Sequence, residues 1–157
     1  MRCMLILAVG AWLFPGSLAP ADEPPTAEGE LQRLAGAGKE CATWELELAK
    51  DRKDQSLKRV TLTFHKTRLG ASVTPIYIAT LAADHANGSE ERGFSYQLDV
   101  GRKGRFVVGS KGAVLAADTK IPYTLAGDVL ELGEVSATLP KVGQINLKGK
   151  WKKVGEK

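Results

Sequence analysis

The chain has 157 residues, 43% of them hydrophobic and 25% charged, with a formal net charge of +4 and two cysteines. That length reads as one domain with enough apolar content for a core. The charge is too mild for a nucleic-acid specialist, and two cysteines exclude a fold built on a disulfide framework.

Residues 1–21 read as a secretory signal peptide. Arg2 gives a positive start, Met4–Phe14 is an apolar run, and Ala19-Pro20-Ala21 places small residues before a cleavage point. The run is shorter than the roughly 20 residues that cross a bilayer, so no membrane span is expected after cleavage. The expected location is secreted or periplasmic. Cleavage removes Cys3 and leaves Cys41 alone, so no intramolecular disulfide is expected. Cys41 is then either a small buried residue or a free thiol. Residues 22–28, D-E-P-P-T-A-E, are acidic and proline-rich and read as a linker, which leaves 29–157 as the folded domain.

Gly29–Ala37 carries Leu31 and Leu34 at helical spacing and ends at Gly36 and Gly38, which predicts a short helix capping something larger. From Ala42 the period becomes two. Trp44, Leu46 and Leu48 alternate with Glu45 and Glu47, the pattern of a strand with one wet face. Val60, Leu62 and Phe64 form a second alternating strand, and Phe94, Tyr96, Leu98 and Val100 a later one. Between them, Val73–Leu81 is β-rich and interrupted by Pro75, while Ala82–Arg92 is polar and predicts a long loop around Asn87-Gly88. Short strands with glycine punctuation follow. The clearest hairpin spans Ile121–Leu132 about Gly127-Asp128. The last strand alternates Ile145, Leu147, Gly149 and Trp151 with Asn146 and a row of lysines. That row reads as protection of a sheet edge.

About eight to ten strands at close spacing, with no βαβ pattern, predict an all-β fold: an antiparallel meander closed as a barrel, or a sandwich. The hairpin-short connections favour an up-and-down barrel with a short N-terminal helix. The residues also resemble an uncharacterised lipocalin-like domain family of exported planctomycete proteins. Leu34-Ala35-Gly36 and Trp44 match its helix end and first strand, and Tyr123, Gly127, Asp128 and Leu130 match its late Tyr-x-x-x-Gly-Asp-x-Leu hairpin. The basic strand Leu147–Val154 is similar too. The chain departs from that pattern at Lys39–Thr43, inserted before the Trp, and at Glu131-Leu132-Gly133, where the family often has a cysteine. The resemblance implies a lipocalin-like barrel and carries no catalytic residues.

No catalytic motif is visible: no G-x-S-x-G, no H-E-x-x-H and no phosphate-binding glycine loop. The reading is that the chain is not an enzyme and has no cofactor. The two histidines, His65 and His85, sit in no cluster with metal-ligand spacing and read as surface residues. Trp44, Phe64, Tyr96 and Trp151 face inward on four strands and either line a cavity for a small apolar ligand or fill the core. Arg102, Lys103 and Arg105 form a basic turn that reads first as a solvated tip. Its charge also suits an acidic polysaccharide. Two functions follow: an exported binding module for a small apolar molecule, or a structural or protein-interaction domain with a filled interior and no ligand.

Overall fold

The structure, a computed structural model, describes residues 26–50, 55–71, 75–99, 105–108, 114–116 and 119–157, with only the backbone of 105–108. The expected signal peptide, most of the expected linker, Arg102, Lys103 and the side chain of Arg105 lie outside the described residues.

One helix, α1 (Ala27–Ala35), precedes the strands β1 (Cys41–Leu46), β2 (Leu57–Leu69), β3 (Ile76–His85), β4 (Gly88–Asp99), β5 (Arg105–Val108), β6 (Lys120–Ala126), β7 (Val129–Leu132), β8 (Ser136–Leu139), β9 (Gly143–Asn146) and β10 (Gly149–Glu156). The helix starts two residues before the predicted Gly29, because Thr26 is a working N-cap. Its hydroxyl accepts a hydrogen bond from the Gly29 amide at 3.0 Å, and Glu28 and Glu30 sit in the first turn where the helix dipole favours acids. Gly36, at φ 85°, ends it. Nine residues are too few to hold a helix alone, so α1 depends on its buried stripe of Leu31, Leu34 and Ala35.

The strands form a curled, barrel-like antiparallel sheet in which hydrogen-bonded neighbours run β1-β10-β7-β6-β5-β4-β3-β2. The expected hairpin is β6–β7, turning at Gly127 with φ 58°, and the first and last strands, β1 and β10, pair. Inside the sheet, large and small side chains alternate across neighbouring strands. Ala42 lies opposite Phe64, Phe64 opposite Ala79, and Ala79 opposite Phe94, all buried. That alternation lets flat aromatic rings occupy the space that alanines leave.

Three expectations are corrected. Ala82–Arg92 is not a long loop. β3 and β4 pair from end to end, with His85 opposite Gly88 across a turn at Ala86 and Asn87. The polar residues there stand on strands whose inward positions, Ala83 and Glu90, remain buried. The alternation from Ile145 to Trp151 does not form one strand. β9 pairs with β8 in a separate two-stranded sheet, while β10 pairs with β1 and β7. The chain changes sheet where the Asn146 side chain accepts from the Lys148 amide at 2.9 Å and Gly149 takes φ 136°. Because β10 has a partner on each flank, its lysines guard no edge. Two of the lysine row are in ion pairs instead, Lys148, just before β10, with Glu134 at 2.6 Å and Lys152 with Glu47 at 2.5 Å.

Candidate functional site

The two ends of the sheet are covered differently. β1 runs from Cys41, near α1, toward Leu46, which lies opposite Trp151. At the α1 end, Leu31, Leu34 and Ala35 are buried against the sheet. At the other end the β8–β9 hairpin and residues Val114 and Leu115 cover the interior. Ala137, Leu139, Ile145 and Leu147 are buried there, and the Thr138 amide donates to the Val114 carbonyl at 3.0 Å. Glu90, only 5% exposed, ties this hairpin to β4. Its carboxylate accepts from the Lys141 amide at 2.6 Å and pairs with Arg92 at 2.8 Å.

The four aromatic candidates are brought into one core but not one layer. Trp44, Phe64 and Tyr96 belong to the α1 end. Phe64 meets Tyr96 edge-on at 5.6 Å between ring centroids, and Tyr77 and Phe94 also pack on Tyr96. Trp151 lies one layer further along, and its indole donates to the Leu147 carbonyl beside the hairpin cap at 3.1 Å. Trp44, Tyr96 and Trp151 are 0% exposed and Phe64 1%, so no void that admits water borders them.

At the α1 end the sheet presents two buried donors to the helix. The Trp44 indole donates to the Leu34 carbonyl at 2.8 Å, and the Tyr123 hydroxyl donates to the Glu30 carboxylate at 3.2 Å. Arg33 completes the clasp, pairing with Glu30 and donating to the Leu125 carbonyl at 2.8 Å. Burial pushes the Tyr123 hydroxyl well above its ordinary range, and the Glu30 carboxylate adds to the shift. Burial does the same to Tyr96, reinforced by Tyr77 and Tyr123.

Outside the clasp, an open cleft of about 470 Å³ separates α1 from the β6–β7 turn and the end of β10. A register break opposite Thr43 and Trp44 places Val154 outward, 49% exposed, and brings Lys153 and Glu156 to the same side. Lys153 lies 5.2 Å from the centroid of the Trp44 ring and pairs with Glu156 at 3.0 Å and Asp128 at 3.3 Å. Burial pulls the Lys153 ammonium down, and the two carboxylates outweigh it, leaving the group above its ordinary value.

Cys41 is half-buried on the outer face, opposite His65 on β2, and His65 shares a hydrogen bond with Thr80 at 3.0 Å. His85 accepts from the Asn87 amide in the β3–β4 turn at 3.1 Å. Among the described residues no group of three or more His, Cys, Asp or Glu is placed to hold a metal ion. Sequence reasoning passed over Glu30 and Arg33, and read Lys153 only as part of the lysine row of the last strand. For Glu30 a signal existed: it lies four residues before Leu34, on the apolar face of α1, where a charge needs a partner. Comparison with protein-family models, curated proteins and solved structures returned no match.

Proposed function

We propose that this chain is an exported, non-catalytic binding module, a lipocalin-like barrel that takes a small apolar molecule at its α1 end. Closure into a complete barrel is supported by β1, which has a partner on both flanks, β10 and β2. Export is supported by the leader-like composition of residues 1–21. The observation that carries the binding reading is the convergence of Trp44, Phe64, Tyr77, Tyr96 and Tyr123, from five strands, under one short helix. An aromatic floor with a few fixed polar groups is the usual build of a small-molecule seat.

A second reading has its own support. The alternation Ala42–Phe64–Ala79–Phe94 fills the interior, which favours a protein-interaction domain without a ligand. Titration of the protein with fatty acids and aromatic probes, followed by tryptophan fluorescence, separates the two. Saturable quenching at about one site per chain supports the binding module. No saturable change with any probe leaves the interaction domain.

A further inference from the structure

The helix over the α1 end carries the chemistry of a ligand. It offers one carboxylate, Glu30, and branched apolar chains, Leu31 and Leu34, all buried in the clasp. The sheet beneath offers two buried donors, the Trp44 indole and the Tyr123 hydroxyl, and both are taken up by acceptors of α1. Leu34 and Ala35 are each 0% exposed. The helix is nine residues long, unable to persist alone, and it joins β1 through Gly36 and Gly38, both at positive φ. Lifting α1 therefore bares the aromatic floor and frees both donors, while the sheet keeps all its strand pairings.

We propose, resting on the binding reading above, that α1 is a resident plug standing in a ligand seat, and that the seat takes an apolar molecule bearing one carboxylate. The carboxylate replaces that of Glu30 on the Tyr123 hydroxyl, and the apolar tail replaces Leu31 and Leu34. Plug and ligand compete, so apparent affinity is the intrinsic affinity reduced by the fraction of molecules with α1 lifted. Loosening the plug must tighten binding, the reverse of what damage to an ordinary binding surface does.

The test is titration of the whole protein and of Arg33→Ala with dodecanoate and with dodecanol, by calorimetry. Arg33→Ala removes the tether to the Leu125 carbonyl and the cation beside Glu30, and its site is exposed, so the sheet should be untouched. Dodecanoate is expected to bind Arg33→Ala about tenfold more tightly than the unaltered protein. Dodecanol should gain by the same factor while binding more weakly throughout, and Tyr123→Phe should erase the preference for the acid. Leu34→Ala, which removes more of the plug, should exceed Arg33→Ala, with melting curves confirming that both remain folded. Equal dodecanoate affinity in all variants overturns the plug and leaves the binding reading standing. No binding to any of them overturns both.

Discussion

The two ends of this molecule solve the same problem with different materials. Each must cover the open end of a curled sheet, and each satisfies a buried tryptophan indole with a backbone carbonyl of its cover: Trp44 with Leu34, Trp151 with Leu147. At the hairpin end the cover is apolar and broad, built from Val114, Leu115, Ala137, Leu139, Ile145 and Leu147; its two strands pair with each other, and Glu90 ties them to β4. At the helix end it is narrow, three apolar side chains, and much of its attachment is polar: Glu30, Tyr123 and Arg33. A broad apolar cover costs more to open than a short hinged helix with a narrow apolar stripe and a few polar contacts. The fold thus has a fixed end and an end able to move, and the seat we propose lies at the second.

The largest expected effect tests the fixed end. Trp151→Ala removes a fully buried aromatic under the hairpin and should cost about 3–5 kcal/mol in denaturant melts. A loss of less than about 1 kcal/mol, the level of an ordinary surface change, would show that this end is not the anchor. Leu34→Ala should cost less, about 2–3 kcal/mol, because the loss is limited by undocking α1. Its mark should be local, with hydrogen-exchange protection falling in α1 while β8 and β9 keep theirs. A loss as large and as global as that of Trp151→Ala would erase the distinction between the ends.

Alkaline pH offers a third way to separate them. Tyr96 and Tyr123, both at the helix end, titrate above the ordinary tyrosine value of 10.0 because burial disfavours the phenolate. The unfolded chain therefore loses these protons first. Stability is full below pH 10.0 and falls as pH rises past it. Tyr123→Phe should reduce that fall, measured by denaturant midpoints on either side of pH 10.0. The smallest effect concerns the outer wall. Lys152 and Glu47 form an exposed pair, so Lys152→Ala should leave the melting midpoint unchanged within error.

Much of the sheet was legible in the sequence, because a period of two reports which way a side chain points. The inward phase of Trp44, Phe64, Tyr96 and Trp151, the Gly127 hairpin and the meeting of first and last strands all followed from it. The same periodicity says nothing about which sheet a strand joins. Ile145 to Trp151 kept its alternation while passing from the β8–β9 sheet to the main one. Polar spelling misled at Ala82–Arg92, where wet strand faces resemble a loop. The clasp was least legible. Glu30 and Tyr123 are 93 residues apart, and the outward step at Val154 depends on pairing between β1 and β10. Such contacts are properties of register, which local pattern does not encode.

The difference between the ends is measured most directly by hydrogen exchange of the two indole N–H groups, read by NMR in one sample across low denaturant concentrations. Each donates to the cover of its own end, so each reports the opening of that end. The Trp44 indole should exchange faster, through an opening that depends weakly on denaturant, while the Trp151 indole should exchange only with global unfolding. Equal protection of the two, or faster exchange at Trp151, would contradict a movable helix end on a fixed hairpin end.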